Sequence, residues 1–183
     1  GGRFESEEAA HEAALQLEEQ TKRLMAILDR EVALLHGDSS LVTLGGGAQG
    51  GSVALHAALH YPAPLNALIC LRCALLERYT TEDLLERFRK HARTPIFALA
   101  AGNDDVCPLA HQQKALLALS QLGFRVVWHS EEGLDHTTDS LTEQRHIAYW
   151  VAQAAEVSSH AFDADAVQVL NKNLAPFHKK PQP

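Results

Sequence analysis

Apolar and polar positions along this chain switch between two periods, and each switch marks an element. From ~6 to ~35, Leu15, Leu24, Ile27, Leu28 and Leu35 lie near one face of a helix, and Glu18, Glu19, Lys22, Arg23 and Arg30 favour the other. Ser6, with Glu8 and Ala9 behind it, suits the start of that helix. Gly37-Asp38-Ser39-Ser40 breaks the pattern, and a strand is predicted over ~41–45. A helix at ~49–60 follows and ends at Tyr61-Pro62-Ala63-Pro64.

Leu65 to Leu71 is a continuous apolar run, as in a strand buried on both faces of a parallel sheet. Thr80 or Thr81, with Glu82 and Asp83, opens a predicted helix through ~91. Pro95 to Ala101 reads as the next strand, Asn103-Asp104-Asp105 as a loop, and Pro108 to ~122 as a helix stopped by Gly123. Phe124 to His129 reads as a further strand, Glu131 to Thr138 as a loop, and ~139–156 as the last helix. Strand and helix thus alternate over four strands. Such alternation predicts an α/β fold, a parallel sheet flanked by helices and joined by right-handed crossovers. Residues 1–156 are expected to form the domain, and 157–183 a polar, proline-bearing C-terminal extension without a core of its own.

Composition narrows the partners. The chain has 183 residues, enough for one domain with a core, and 46% of them are hydrophobic. A net charge of −7 carries no electrostatic footprint for nucleic acid. No run approaches the ~18 apolar residues of a membrane span. Cys70, Cys73 and Cys107 make no disulfide framework, and no secretory segment is visible. The expected location is therefore intracellular, in cytoplasm or in an organelle matrix such as that of the mitochondrion. The chain begins Gly1-Gly2, which leaves open a processed protein or a trimmed piece.

Chemistry concentrates at Gly46-Gly47-Ala48-Gln49-Gly50-Gly51. A strand leads in and a helix leads out, the setting of the G-x-S-x-G turn that presents a nucleophilic serine. The glycines suit so tight a turn. Position 48, however, is alanine, and a methyl group cannot attack a carbonyl. In such hydrolases an acid and then a histidine follow later strands. Asp104 and Asp105 follow the third predicted strand, and His136 follows the fourth. Ser52, one helical turn beyond Ala48, reads as a helix residue rather than a substitute nucleophile. Cys70-Leu71-Arg72-Cys73 is a lone CxxC and reads as the end of a buried strand. His56 and His60 have a spacing that can hold a metal, yet without a third ligand they read as a helix-surface pair. The acidic Glu5, Glu7, Glu8 and Glu12 read as a solvated helix start. No cofactor or metal is called for.

These residues resemble the carboxylesterase/phospholipase family of α/β-hydrolases that includes the acyl-protein thioesterases. That family's elbow reads G-G-F-S-Q-G-G, against Gly45-Gly46-Gly47-Ala48-Gln49-Gly50-Gly51 here. Ala57-Ala58-Leu59-His60-Tyr61-Pro62 is similar to its following helix, Thr94-Pro95 to its T-P before a strand, and Gly133 to His136 to its G-x-x-H. Its H-G-x-x-D-x-x-V-P is matched by Ala100 to Pro108. Counting back from the proline makes Asp104 the acid, and counting from Gly102 makes it Asp105; Asp104 is preferred. The resemblance implies that Ala48, Asp104 and His136 are former triad positions, and that the backbone N–H of Gln49 is one remaining oxyanion donor. It also implies several strands ahead of the first helix, one of whose loops completes the oxyanion hole, and this sequence holds no counterpart of them.

Without that neighbour, the strand at 41–45 is expected to be a bare sheet edge carrying no lysine or proline to blunt it. The reading is a truncated α/β-hydrolase fold acting as a catalytically inactive pseudoenzyme, a structural or interaction subunit of a larger assembly. Other protein subunits are expected to cover the strand at 41–45, with the chain's own tail or another copy as the alternatives. The alternatives are a thioesterase inactivated by a serine-to-alanine change and a non-catalytic module that binds an acyl ligand. Gly47 in place of phenylalanine, and Ala100-Ala101 in place of His-Gly, speak against one isolated change.

Overall fold

A computed structural model describes residues 7–73 and 88–159. Helix α1 (Glu7–Leu34) leads through a 3-10 turn (Ser39–Leu41) into strand β1 (Thr43–Gly47) and helix α2 (Ala48–His60). Strands β2 (Ala67–Leu71) and β3 (Ile96–Ala101) follow, then helix α3 (Leu109–Gln121), strand β4 (Val126–Glu131) and helix α4 (Leu141–Ser159). Among the described residues the sheet has four strands in the order β1-β2-β3-β4, and every pair is parallel. The expected fold class is therefore the observed one.

Period-two alternation divides the core between the two faces of the sheet. Leu68, Cys70, Ile96 and Ala98 point to one face, where Leu55 and Leu59 of α2, Leu28 of α1, and Leu116 and Leu119 of α3 pack on them. Ala67, Ile69, Phe97, Leu99 and Val127 point to the other face, against Trp150 and Ala154 of α4. Trp150 is wholly buried and stacks on Phe97, with ring centroids 5.7 Å apart. β3 is buried at every residue, as a central parallel strand should be.

Element edges differ from expectation in informative ways. β1 lies two residues later than the predicted 41–45, because Asp38 caps a 3-10 turn with its carboxylate on the Ser40 N–H. Three glycines of weak strand propensity then pair in register with Ile69, Cys70 and Leu71. β4 also starts two residues late, at Val126. His56 is buried on α2, so the expected surface pair with His60 is half internal; the two rings lie 4.2 Å apart. The helix predicted from Thr80 lies outside the described residues except for its end, a 3-10 turn at Arg89–His91. Ser6 and the tail from 160 also lie outside them. Among the described residues no helix is long and apolar enough to cross a membrane.

Candidate active site

Parallel strands bring all their C-terminal ends to one rim, where α/β sheets place their sites. Each of the four strands here delivers one residue to that rim: Ala48 after β1, Arg72 after β2, Asp104 after β3 and His136 after β4.

The first is held by a strained turn. Ala48 has φ +51°, a left-handed conformation that side chains other than glycine avoid. The turn is possible because α2 comes very close to β1. A methyl group on Gly46 would lie 2.6 Å from the Gly50 carbonyl carbon. One on Gly51 would lie 2.7 Å from the Gly46 oxygen and 2.8 Å from Cys73 Sγ. Ser52 is half-buried in α2 and its hydroxyl donates to the Ala48 carbonyl at 3.4 Å. The Gln49 side chain is exposed at the start of α2.

Asp104 and His136 meet. His136 Nδ1 lies 2.9 and 3.0 Å from the two carboxylate oxygens of Asp104, whose side chain is fully buried. Asp104 Oδ1 also accepts the backbone N–H groups of Val106 and Cys107, at 3.0 and 2.7 Å. An ionised carboxylate only accepts, so Nδ1 donates and the neutral ring carries its acceptor at Nε2. That is the tautomer a general base needs. Asp105 is exposed, so Asp104 is the aspartate that reaches the ring. The neighbouring Asp135 caps its own turn, and hydrogen bonds from Thr138 and Thr137 hold its carboxyl down at about 2.

Sequence reasoning passed over two further residues of the site. Arg72, at the end of β2, is buried and also left-handed, with φ +51°. Its guanidinium grips the buried carboxylate of Glu143 in α4 with two donors, Nε at 3.2 Å and Nη2. A third bond runs from Nη1 to the backbone carbonyl of His136 at 2.8 Å. Ser140-Leu141-Thr142-Glu143 has the capping-box pattern, and Ser140 does accept the Glu143 N–H at 2.9 Å. The Glu143 side chain serves Arg72. That capping motif, with a lone arginine inside the run Leu68 to Cys73, is the signal by which the pair could have been sought.

Gly47, Ala48, Leu71, Arg72, His136 and Glu143 line one cavity of about 190 Å³. Most ligand pockets hold roughly 300–1,000 Å³. An imidazole and a methyl group both line the cavity, with a buried ion pair as part of its wall. Cys70 and Cys73 are buried free thiols behind the elbow; contact with Cys70 and burial push the Cys73 thiol well above its usual range. Among the described residues no group of three or more histidine, cysteine or acidic side chains is arranged to hold a metal.

This rim is that of a serine-hydrolase fold, and sequence comparison agrees. The profile of the Phospholipase/Carboxylesterase family matches residues 4–151, and the chain belongs to that family. It is 27% identical over 96 residues to acyl-protein thioesterase 1 of Gibberella zeae, across 52% of this chain and 41% of that protein. It superposes on SOBER1 of Arabidopsis thaliana with a TM-score of 0.67 and 26% identity, over 75% of this chain and 64% of that one. Acyl-protein thioesterase 2 of Zea mays has the same fold, with a TM-score of 0.58 at 24% identity, over 74% of this chain and 66% of that one. The chain thus spans less than two thirds of the length of SOBER1.

Proposed function

We propose that this thioesterase- and carboxylesterase-like domain does not turn over esters, and that it serves as a structural or interaction subunit of a larger assembly. The observation that carries the reading is Ala48. It stands on the left-handed strand-to-helix turn and shares a cavity with His136, whose Nδ1 is held by Asp104. Ala48, Asp104 and His136 are then the former triad, and the Gln49 N–H is the remnant of an oxyanion hole. The acid holds the base, and residue 48 offers that base no hydroxyl to deprotonate. Without a nucleophile the acyl-enzyme route is closed, and what remains is weak stabilisation by backbone donors.

The partner side of the proposal rests on β1. Among the described residues it is the first strand of the sheet order, with a neighbour on one side. Thr43, Gly45 and Gly47 are exposed, and Leu41 just ahead of them is 41% exposed. An unblunted edge of this kind is a template for another chain. A subunit that covers β1 would complete the sheet. The small cavity and its ion-pair wall weigh against a long acyl ligand as an alternative role.

Hydrolysis of a short-chain nitrophenyl ester by the purified chain, beside its His136→Ala variant, tests inactivity. The expected result is no difference between the two. Turnover by the native chain that disappears with His136 would overturn the proposal. Native mass of the complex isolated from its source tests the assembly; stoichiometric companion chains are expected, and a lone monomer would remove that half of the reading.

A further inference from the structure

Arg72 is costly as it stands. A non-glycine residue at φ +51° carries backbone strain, and a buried guanidinium has lost its water. Such features persist when their surroundings hold them in place, and here the surroundings are the site itself. Three side-chain donors run from Arg72, two to Glu143 in α4 and one to the His136 carbonyl. The loop that carries His136 is therefore gripped from two sides. Asp104 takes the His136 ring, and the Asn103 N–H bonds the Leu134 carbonyl at 2.9 Å, both from the end of β3. Arg72 takes the His136 backbone from the end of β2.

We infer that Arg72, anchored by Glu143, is the positioning residue that fixes His136 against Asp104. Lysine cannot fill this role. Its single ammonium group can pair with Glu143, but it lacks the planar fork that meets a carboxylate and a carbonyl together. The guanidinium acts on His136 through the backbone of a loop and does not touch the ring. Removing it should leave the Asp104 carboxylate in place and release the imidazole. The inference is independent of whether the chain turns over an ester, because it concerns where the ring sits.

The test uses the full 183-residue chain. The Nδ1 proton of His136, bonded to a buried carboxylate, should give a far-downfield proton resonance that exchanges slowly with water. Arg72→Lys retains a charge opposite Glu143, and Arg72→Met with Glu143→Leu removes both charges while keeping the space filled. In both variants the expected result is exchange of that proton at least tenfold faster, with the double variant losing the resonance and the lysine variant restoring part of it. Amide spectra report whether each variant is folded. An exchange rate within twofold of the native chain, in either folded variant, would overturn the inference. A merely structural Arg72 would lower the melting temperature and leave the proton's exchange rate in the folded state unchanged.

Discussion

The two halves of the site have met different fates. On one side Asp104, His136, Arg72 and Glu143 form a continuous hydrogen-bonded chain across the ends of β2, β3 and α4. On the other side the β1–α2 elbow has a strained backbone and close glycine contacts around an alanine. The first half is held by polar bonds, each of which needs its partner. The second is held chiefly by close backbone approach, with the Ser52 hydroxyl donating to the Ala48 carbonyl. The contrast teaches that the elbow's close contacts, made around Gly46 and Gly51, do not depend on the side chain at position 48. A buried polar partner has no such freedom: its departure strands a charge.

That contrast can be broken from the polar side first. Arg72→Met alone leaves Glu143 buried and unpaired, a loss of about 3–5 kcal/mol. For a domain of this size that lowers Tm by roughly 10 °C. Adding Glu143→Leu should recover much of it, since an apolar pair of similar volume suits a core as well as an ion pair does. If the single variant melts with the native chain, the polar half is not what holds the rim.

A residue remote from both halves supplies the background. His91 is buried, and burial is the main cause that pulls its imidazole down to about 4, with Lys90 and His60 adding to it. The unfolded chain binds that proton near pH 6.5, so between pH 6.5 and 4 the unfolded state holds more protons than the folded one. Stability is therefore full above pH 6.5 and falls as pH drops to about 4, by up to about 3 kcal/mol. His91→Phe should flatten denaturant midpoints across that window. An unchanged slope would mean that other groups set the acid limit.

The elbow gives the smaller effect. Gly51→Ala puts a methyl group 2.7 Å from the Gly46 carbonyl oxygen, and that backbone has little room to give. A cost of about 1–3 kcal/mol is expected, seen as a lower urea midpoint. Gly50→Ala, with nothing within 4 Å, is the control. Equal behaviour of the two variants would deny that close approach shapes the turn.

Much of this was legible in the chain. Four apolar runs separated by helical patterns gave the parallel sheet, since a two-faced strand leaves a continuous apolar signature. The glycine cluster marked the elbow, because only glycine fits where helix and strand nearly touch. Strand order pointed to Asp104 or Asp105 and to His136, and the preference for Asp104 came from the family resemblance, by counting back from Pro108. Other features were hidden for physical reasons. Gly46 and Gly47 fell outside the predicted strand, and their strand state comes from pairing with β2. Burial of His56 depends on how α1 and the sheet close around α2. The Arg72–Glu143 pair joins residues 71 positions apart, and no local pattern reports such a contact.

We propose that Ala48 withholds the nucleophile from a rim whose acid and base, Asp104 and His136, remain paired. The most direct measurement is the intact mass of the native chain and of Ala48→Ser after treatment with a fluorophosphonate ester. The native chain should show no adduct. The serine variant should gain one, at residue 48, and should lose it when His136 is also changed to alanine. An adduct on the native chain that depends on His136, or a folded serine variant that never reacts, would contradict the claim.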